Sequence, residues 1–548
     1  MTAALMPPAP ARPRARVVNG RPLIMGRRGA VASQHPLATQ VGIDVLRAGG
    51  NAADAAVAIA FALGVVEPQM SGLGGDGFYH VLEARTGRSI VINASGAAPM
   101  AATRERLLGE SGGIPRIGPL SISVPGALGG LSALHAMHGS RPWARLMAPA
   151  IDLAESGFAA THVYRVLATS ARNRLRADPH AVGTYLDRGA VPKLGASIRQ
   201  PALAGTLRTI AAEGAETFYR GALARQIADA IAAAGGIITV DDLAACRPEM
   251  QAPVVGSFRG FEVRQTPPNS MGFAMLQLLG VLERLDLAGL PLDGPDLIHL
   301  LFEARKRVFA DRDRHAGDPR WAAVPLERLL DPGTLADHAA AIDRERAAAF
   351  AVEPEAEESD TSYFCVVDRD GNAISGIQSL CLSFGAGVVA GDTGVLMSNR
   401  MSRFHVDDGH PNGVAPGKRV RQTMCAPLLM RDNELVCVFG SPGGDNQVMF
   451  QVQLLLAMID HGLDPQAAVE RPRIVGMPGG APGMPAILGL EQPAADGTVG
   501  ELTRRGHRVR LLGERGGSGS VSVIHRTPAS GLLMAASDPR MDGWAAAW

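Results

Sequence analysis

The sequence predicts an α+β protein in which helices and strands occupy different stretches of a 548-residue chain. Two helices are expected over 38–66, helical stretches joined by short polar turns fill 127–260, and a β-hairpin begins near residue 361. Apolar residues make up 46% of the chain, which is enough for a sizeable core. At about 150 residues per unit the length allows three or four units, although a large enzyme can fill it as one body.

Residues 38–66 are interpreted as two helices separated by Gly49-Gly50-Asn51. The second helix is rich in alanine and apolar on nearly every side, so it is expected to be buried. The glycine-rich stretch 71–77 follows this helix and leads into a strand. A glycine fingerprint for dinucleotides requires the strand first and the helix second. The reversed order argues against a bound nucleotide, and no cofactor is expected.

A long amphipathic helix over 296–314 precedes an acidic segment, EPEAEESD, at 353–360. Five of these eight residues are acidic and none is large and apolar, so the segment is expected to be solvated and mobile. Two β-rich runs on either side of a D-G turn follow at once and predict a hairpin. Thr361 therefore stands where an acidic tether meets the first strand of a sheet.

Beyond the hairpin, the sequence predicts more strands and a further helix. Strands are expected over 387–391, 394–399 and 435–440, and a helix over 447–462. The glycine-rich turn GSPGGD, at 440–445, lies between the last of these strands and the helix.

Composition excludes several classes of function. Lys plus Arg and Asp plus Glu both total 53, so no global charge favours nucleic acid or an anionic membrane. No apolar run approaches the roughly 20 residues of a spanning helix. The five cysteines are odd in number and form no C-x-x-C pair, so neither a disulfide framework nor a metal site is expected. The protein is expected to be cytoplasmic, with residues 1–27 as a disordered extension that lacks the apolar core of a signal peptide.

On the residues alone, Thr361, Gly443 and Gly444 are the candidates for chemistry. A threonine hydroxyl is a poor nucleophile until a neighbouring base accepts its proton. The two glycines offer consecutive N–H groups before a helix, which suits an oxyanion. A threonine that opens a strand is usually structural, and GSPGG can be only a tight turn, so both interpretations stay open at this point.

A series of stretches between residues 28 and 540 resembles the γ-glutamyltransferase family of N-terminal-nucleophile hydrolases. These stretches are GGNAADAAVA (49–58), EPQMSGLGGDGF (67–78), SVPGALGG (123–130), PPNSMGF (267–273), EARKRVFADR (303–312), GDP (317–319), DTSYFCVVDRDGNA (360–373), FGAGVVAGDTGVLMSN (384–399), GSPGG (440–444) and ASDPR (536–540). So many matches in one order are specific for the family. The resemblance implies a four-layer αββα sandwich.

The resemblance also implies that the chain cuts itself between Asp360 and Thr361. Residues 28–360 would form the large subunit and 361–548 the small one, and both would remain in one αββα body. A dimer of these pairs is a further expectation.

The catalytic roles follow from the same resemblance. The freed α-amine of Thr361 would act as the base, because a reference pKa of about 7.7–8 leaves it partly neutral near pH 7. Ser379 would bond this amine, and the N–H groups of Gly443 and Gly444 would hold the oxyanion of the substrate.

The pocket residues depart from the family pattern. Ser95 stands where the family has an arginine for the substrate α-carboxylate, and Gln422-Thr423 stands where it has a serine pair. Arg400 and Arg403 stand at the positions that read the substrate ammonium. Two guanidiniums do not bind an ammonium, whereas an arginine fork suits a carboxylate. The pocket is therefore expected to favour an acyl group that carries a carboxylate.

Other interpretations apply to the residues around this pocket. Arg400 and Arg403 are alternatively surface residues that pair with Asp407 and Asp408. Cys381 stands where the family has an asparagine, and it is expected to be a small apolar packing residue.

The stretches 377–379, 384–387 and 399–400 resemble the oxamate amidohydrolase-like subfamily. The leading hypothesis is a self-processing amidohydrolase that acts on a small carboxylate-bearing amide through a threonine acyl-enzyme. Conversion of oxamate to oxalate and ammonia is the best single prediction. One alternative is a γ-glutamyl hydrolase/transferase or a glutaryl-type acylase. Another is an unprocessed, catalytically silent homologue that binds a ligand. The expected partner is a small acid amide, not nucleic acid or a membrane.

Overall fold

The structure, a computed structural model, describes residues 20–349, 360–479 and 484–548. The predicted disorder of residues 1–19 and most of the predicted acidic tether, 353–359, lie outside these described residues. Within the described ranges, no helix is both long and apolar enough to cross a membrane.

Helices fill most of the chain before residue 340, and three more follow the nucleophile region. They are α1 (Pro36–Arg47), α2 (Ala52–Val66), α3 (Arg104–Ser111), α4 (Ala127–His138), α5 (Trp143–Ser156), α6 (His162–Ser170), α7 (Arg172–Leu175), α8 (Pro179–Tyr185), α9 (Pro201–Glu213), α10 (Glu216–Arg220), α11 (Ala222–Ala233), α12 (Val240–Ala245), α13 (Gly272–Glu283), α14 (Pro295–His315), α15 (Leu326–Leu329), α16 (Pro332–Ala340), α17 (Gln447–Leu455), α18 (Pro465–Glu470) and α19 (Thr498–Arg504).

Strands occur in both halves of the chain. They are β1 (Ile24–Gly26), β2 (Ala30–Ser33), β3 (Asp76–Glu83), β4 (Arg88–Ala94), β5 (Phe158–Ala159), β6 (Ser197–Ile198), β7 (Glu249–Gln251), β8 (Val254–Phe258), β9 (Phe261–Gln265), β10 (Asp360–Val367), β11 (Ala373–Cys381), β12 (Leu428–Arg431), β13 (Glu434–Gly440), β14 (Ile474–Met477), β15 (Ile487–Gln492), β16 (Val509–Glu514), β17 (Ser522–Arg526), β18 (Leu533–Ser537) and β19 (Trp544–Ala547).

The pair of helices predicted over 38–66 is confirmed as α1 and α2. The chain leaves α1 through Gly49, whose φ of +82° lies in the left-handed region that favours glycine. Helix α2 begins with a capping box, in which the Asn51 side chain accepts from the Asp54 N–H and the Asp54 carboxylate accepts from the Asn51 N–H. Nearly all of α2 is buried, as its all-round apolar sequence predicts.

Two antiparallel sheets form the centre of the molecule. The first sheet has the strand order β19-β2-β10-β11-β3-β4-β7, and the second has the order β1-β18-β17-β13-β12-β9-β8. The predicted hairpin is confirmed as β10 and β11, with Tyr363 opposite Ile377 and Val367 opposite Ala373. This hairpin lies inside the first sheet, so both strands have neighbours on each side.

Three hydrophobic cores separate four layers. Side chains of alternate residues in β10, such as Tyr363 and Cys365, pack between the two sheets. The residues between them, such as Phe364 and Val366, face the helical layer that contains α2. Helices α13, α14 and α17 cover the outer face of the second sheet. The predicted four-layer αββα sandwich is confirmed.

The strands predicted over 387–391 and 394–399 are wrong. The chain forms turns there, and within the described residues these two stretches are joined by one isolated bridge between Val389 and Leu396. Extended strand backbone is incompatible with the left-handed φ angles that three glycines adopt: Gly387 (+73°), Gly391 (+54°) and Gly394 (+68°). The strand predicted over 435–440 is confirmed as part of β13, and the helix over 447–462 as α17 with a π-helical continuation.

The predicted disordered extension needs a correction at its end. Residues 24–26 form β1 at the edge of the second sheet, with Ile24 opposite Ala535. The Arg21 N–H donates to the Glu470 carboxylate at 2.8 Å. The backbone of residues 20–27 is therefore tied to the small-subunit segment, because β18 has an edge that β1 completes.

Candidate active site

Thr361 lies buried near the start of β10, at a break in strand pairing. Asp360 is opposite Cys381 and Ser362 is opposite Gln378, so the register shifts across Thr361. Thr361 alone stands opposite two residues of β11, Ser379 and Leu380, so the extra residue of this bulge lies in β11. The Thr361 side chain is directed toward Ser379 and is 1% exposed.

Ser379 connects the hydroxyl of Thr361 to the preceding peptide bond. Thr361 Oγ1 donates to Ser379 Oγ at 3.2 Å, and Ser379 Oγ donates to the Asp360 carbonyl oxygen at 2.8 Å. The Cys381 N–H donates to Ser379 Oγ at 2.9 Å. One buried hydroxyl thus holds the candidate nucleophile and the carbonyl of the predicted cleavage site in one hydrogen-bonded chain.

The Asp360 side chain is held by the turn that follows β11. Ser383 Oγ donates to the Asp360 carboxylate in a short hydrogen bond. Arg174 fixes this turn by donating to the carbonyl oxygens of Ser383 and Gly385, the second at 3.2 Å. Arg174, which precedes the predicted cut in sequence, therefore helps to hold Asp360, the residue on the acyl side of that cut.

Cys381 is not the apolar packing residue that the sequence predicts. Arg403 Nε lies 3.2 Å from Cys381 Sγ. Burial alone raises the pKa of the Cys381 thiol, but the guanidiniums of Arg400 and Arg403 outweigh burial and lower that pKa. Cys381 Sγ therefore serves as the acceptor for Arg403 in surroundings that carry positive charge. Apolar surroundings were predicted because the arginines are distant in sequence.

Arg400 is bound to a carboxylate that the sequence analysis missed, Asp76. Arg400 Nε donates to Asp76 Oδ2 at 3.2 Å, and Gln422 Nε2 donates to the same oxygen at 3.1 Å. The Gly96 N–H donates to Asp76 Oδ1 at 2.6 Å. Burial raises the pKa of Asp76 in spite of these donors and of the Arg400 charge. Arg400 is 2% exposed, so its pairing with a surface aspartate is wrong.

Asp76 also lies next to the reacting residues. It is the partner of Ser379 in the pairing of β3 with β11. Asp76, whose carboxylate binds Arg400 and Gln422, therefore lies on the strand next to Ser379. Arg400 and Gln422 of the predicted pocket therefore lie beside Thr361 and Ser379 at this end of the first sheet.

Ser95 belongs to a second polar cluster on the same side. Ser95 Oγ donates to Asn93 Oδ1 at 2.7 Å and lies 3.2 Å from the side-chain amide of Asn269. The Gln422 N–H donates to the Asn269 carbonyl at 2.8 Å. Ser95 and Gln422 are thus joined through Asn269, a residue in the PPNSMGF stretch to which the sequence analysis gave no role.

The Gly443-Gly444 turn lies between β13 and α17. Both glycines have positive φ angles, +121° and +56°. A side-chain carbon at Gly443 would lie 2.7 Å from the Phe450 ring, so the turn is packed closely on α17. Among the described residues, no hydrogen bond joins this turn to Thr361. The residue after the turn, Asp445, interacts with the arginines of the site.

Asp445 connects the glycine turn to the arginines of the site. Arg312 Nη1 forms an ion pair with Asp445 Oδ1 at 2.9 Å. Burial raises the pKa of Asp445, but the arginine guanidiniums outweigh it and lower the pKa, with Arg312 contributing most, followed by Arg421 and Arg403. Arg403 therefore lies between Asp445 on one side and the Cys381 thiol on the other.

Several pocket atoms are buried without a hydrogen bond to any described residue. They are Arg400 Nη2, Gln422 Oε1, Thr423 Oγ1 and Ser441 Oγ. Buried polar atoms are normally paired. Arg400 and Gln422 both bind Asp76, the strand partner of Ser379. Unpaired atoms on these two side chains are typical of a ligand-binding site, in which the ligand supplies the missing partners.

Among the described residues, one cluster places metal-ligand atoms within 4.8 Å of one another: His299, Glu303 and His507. His299 Nδ1 and His507 Nε2 are hydrogen-bonded to each other at 2.7 Å. Lys306 Nζ donates to Glu303 at 2.6 Å. A lysine ammonium bound to the carboxylate opposes a cation there, so this cluster is interpreted as buried polar packing.

The signals that reveal the missed residues are weak in the sequence. Asp76 lies within SGLGGDG, where an acidic residue at the start of a strand is the only hint of a buried carboxylate. Asn269 and Asp445 stand in loop stretches that resemble the family, but their types alone do not distinguish a turn residue from a pocket residue.

An αββα body with a threonine opening an inner strand of one sheet is the architecture of an N-terminal-nucleophile hydrolase. Residues 38–548 match the family described as gamma-glutamyltranspeptidase. The chain therefore belongs to the γ-glutamyltranspeptidase family, and it is an N-terminal threonine amidohydrolase of that family.

Known proteins resemble this chain over nearly its whole length. It is 36% identical over 522 residues to the glutathione hydrolase-like YwrD proenzyme of Bacillus subtilis, with 95% of this chain and 98% of the relative covered. It is 37% identical over 530 residues to the oxamate amidohydrolase proenzyme of Klebsiella pneumoniae, with 95% and 98% covered. The crystal structure of a cephalosporin acylase from Bacillus halodurans superposes with a TM-score of 0.88 at 33% identity, covering 100% of this chain and 99% of that chain. These names differ in the amide that is cleaved, so family membership leaves the substrate open.

Proposed function

We propose that this protein cuts itself between Asp360 and Thr361 and then hydrolyses the amide bond of a small carboxylate-bearing amide. Oxamate is the proposed substrate, with oxalate and ammonia as products. The observation that carries the proposal is the Ser379 hydroxyl, which is hydrogen-bonded both to Thr361 Oγ1 and to the carbonyl oxygen of Asp360.

Self-cleavage begins with attack of Thr361 Oγ1 on the carbonyl carbon of Asp360. Because both groups are adjacent in the chain, the reaction is intramolecular and needs no further encounter. The Ser379 O–H is placed to stabilise the negative charge that develops on the carbonyl oxygen. The C–N bond then breaks as the leaving nitrogen takes the proton that Thr361 Oγ1 lost on attack. The resulting ester between Asp360 and Thr361 is hydrolysed by water to a carboxylate and a free threonine hydroxyl.

Turnover uses the α-amine that this cut releases. In its neutral form the amine accepts the proton of Thr361 Oγ1 as the oxygen attacks the substrate carbonyl. The N–H groups of Gly443 and Gly444 are assigned to the oxyanion, and ammonia leaves with the transferred proton. Water then hydrolyses the acyl ester, so that oxamate and water yield oxalate and ammonium.

The pocket chemistry supports an acid amide. Arg400 uses its Nε for Asp76, while its Nη2 has no hydrogen-bond partner among the described residues. A guanidinium nitrogen and the Thr423 hydroxyl suit two oxygens of a carboxylate. The Gln422 Oε1 acceptor suits an N–H of the same ligand. Oxamate presents a carboxylate next to an amide N–H₂ and so offers both kinds of partner.

Intact-mass measurement of the purified protein tests the self-cleavage step. Fragments of residues 1–360 and 361–548 are expected for the wild type, and a single uncut chain is expected for Thr361→Ala. Thr393→Ala is the matched control and is expected to be cut. It also removes a buried threonine hydroxyl, one that donates to the Ala390 carbonyl oxygen. A wild-type chain that remains whole after long incubation would support the silent, ligand-binding alternative.

A comparison of three substrate types tests the specificity. Ammonia release from oxamate is compared with chromophore release from γ-glutamyl and glutaryl anilides, and the Arg400→Gln variant is assayed in parallel. Oxamate hydrolysis that is at least about tenfold weaker in Arg400→Gln supports a carboxylate on this arginine. Fast cleavage of the γ-glutamyl anilide without oxamate hydrolysis would contradict the proposal.

A glutaryl-type acylase is the second candidate. It is favoured by the likeness to a cephalosporin acylase, which extends over the whole chain at a TM-score of 0.88. Asp76 also compensates the charge of Arg400, so the pocket does not require a substrate as small as oxamate. Cleavage of the glutaryl anilide in preference to oxamate would select this candidate.

A further inference from the structure

Glu67 is a buried carboxyl that the proposed reaction does not use. It caps the C-terminal end of α2 and is 1% exposed. This end of α2 packs against the face of β10 that is turned away from the second sheet. Glu67 therefore lies on the opposite side of the nucleophile strand from Ser379 and the substrate pocket.

A chain of hydrogen bonds runs from β11 to Glu67 beneath the nucleophile. Gln378 Nε2 donates to Ser71 Oγ at 3.1 Å, Ser71 Oγ donates to Ser362 Oγ at 3.1 Å, and Ser362 Oγ donates to Glu67 Oε2 at 2.7 Å. A side-chain amide nitrogen can only donate, so the direction of the whole chain is set at Gln378. Glu67 is therefore its final acceptor.

Ser362 and Gln378 of this hydrogen-bonded series are direct sequence neighbours of the reacting residues. Ser362 follows Thr361, and Gln378 precedes Ser379. They are paired with each other across β10 and β11, immediately beside the register shift that contains Thr361. Fixing Ser362 from below consequently fixes β10 next to Thr361, opposite the β11 bulge that contains Ser379.

The carboxyl is suited to a neutral role. The pKa of Glu67 is raised to about 8, mainly by burial and to a smaller extent by the nearby carboxylates of Asp542 and Asp360, against the lowering effect of the Ser362 hydrogen bond. Glu67 Oε1 has no hydrogen-bond partner among the described residues. An uncharged acceptor near pH 7 therefore satisfies the observed contacts, and a glutamine amide offers the same acceptor in the same shape.

We propose that Glu67 is a positioning residue that holds Ser362, and through it the adjacent Thr361, in the geometry for attack. This inference rests on the proposed self-cleavage at Thr361. It differs from the proposed function because Glu67 touches neither the scissile carbonyl nor the substrate pocket. Loss of its carboxyl is expected to slow both the cut and the chemical step of turnover, and to leave substrate affinity unchanged.

The test follows self-cleavage by intact mass in freshly synthesised full-length chains, together with kcat, KM and thermal melting of the cut enzyme. Glu67→Ala is expected to slow cleavage at least about tenfold and to lower kcat with unchanged KM. Glu67→Gln is expected to remain within about twofold of the wild type at pH 7, because it preserves the acceptor for Ser362. Ser375→Ala is the matched control, since it removes a buried hydroxyl of the same hairpin, bonded to Tyr363, on the opposite face. It is expected to behave as the wild type.

Three results would overturn the inference. The first is normal cleavage and kcat in a folded Glu67→Ala protein. The second is a Glu67→Gln protein as slow as Glu67→Ala, since this would assign the effect to the acidic proton instead of the hydrogen bond. The third result applies if Glu67→Ala fails to fold. Ser362→Ala removes the same hydrogen bond from the strand side, and an unchanged cleavage rate in that variant would overturn the inference. An uncut wild-type chain would overturn the proposed function itself, and a cut wild type with unaffected variants would overturn only this inference.

Discussion

Ser379 donates its hydroxyl proton to the Asp360 carbonyl oxygen at 2.8 Å and accepts the Thr361 hydroxyl proton at 3.2 Å. Both contacts lie inside the first sheet, where the Cys381 N–H fixes the serine from a third side at 2.9 Å. A hydroxyl already aimed at the carbonyl oxygen needs little reorganisation when charge develops there. The uncut chain is thus held in an arrangement that favours its own cleavage.

The first prediction concerns this serine. Ser379→Ala is expected to slow self-cleavage roughly 100-fold, because a single donor to a developing oxyanion contributes a factor of that order. Ser379→Thr preserves the hydroxyl and is expected to be cut faster than the alanine variant. Intact mass measured over time gives the rates. Cleavage of Ser379→Ala at the wild-type rate would show that its hydrogen bond to Asp360 has no part in the reaction.

The second prediction concerns the buried pair of Asp76 and Arg400. Asp76→Asn leaves the Arg400 guanidinium buried without its counter-charge, and the expected loss is about 3–5 kcal/mol of unfolding free energy. The double variant Asp76→Asn/Arg400→Gln removes both charges and is expected to recover part of this loss. Denaturant unfolding in an uncut Thr361→Ala background provides the four corners of a double-mutant cycle. Additive losses, with no coupling between the two sites, would contradict the pairing.

The third prediction concerns Cys381, which has φ of +83° and accepts from Arg403. Cys381→Ala removes the sulfur that accepts from Arg403 Nε, so a loss of about 1–3 kcal/mol in unfolding free energy is expected. Cys381→Asn is expected to lose less, because asparagine tolerates this backbone conformation and its side-chain oxygen can accept from Arg403. The buried Cys437 in β13 provides the matched control, Cys437→Ala. Equal stability of the alanine and asparagine variants at position 381 would contradict this account.

The sequence predicts the layered fold, the hairpin and the place of Thr361 because these depend on local patterns. The two strands of the hairpin are joined by a short turn, and α1 and α2 by a glycine break, so neighbouring residues determine them. The pocket depends on distant pairs instead. Asp76 and Arg400 are separated by 324 positions, and no local pattern shows that a glycine-rich turn delivers a carboxylate to an arginine. Cys381 is 22 positions from Arg403, so its surroundings are also set by a residue outside its own stretch of sequence. The strands predicted over 387–391 and 394–399 are wrong because glycines there adopt left-handed φ angles, which residue types alone do not reveal.

The fourth prediction is a pH dependence of stability that originates at Glu67. Burial raises the pKa of Glu67 from 4.5 to about 8 in the folded protein. Between these values the unfolded chain has released a proton that the folded protein retains, so stability falls as pH rises. Several buried histidines have the opposite effect at lower pH, because burial lowers their pKa from 6.5: His35, His80 and His525 to about 4, and His507 to about 3. These histidines are still half-protonated in the unfolded chain at pH 6.5, so the effect of Glu67 between pH 6.5 and 8 is obtained as the difference between proteins with and without this carboxyl.

In this window Glu67 is expected to contribute a decrease of roughly 1–2 kcal/mol to the unfolding free energy of the uncut Thr361→Ala protein, since one pH unit corresponds to about 1.4 kcal/mol for one proton. Adding Glu67→Gln is expected to remove this contribution, because the amide does not titrate, so the difference between the two proteins changes by that amount from pH 6.5 to 8. Adding Glu83→Gln, at a carboxylate in solvent contact on β3, is expected to leave the slope unchanged. Urea unfolding at four pH values gives the comparison. An equal slope with and without Glu67 would mean that this carboxyl is ionised in the folded protein at neutral pH, and a charged glutamate beneath Ser362 would not be replaceable by glutamine.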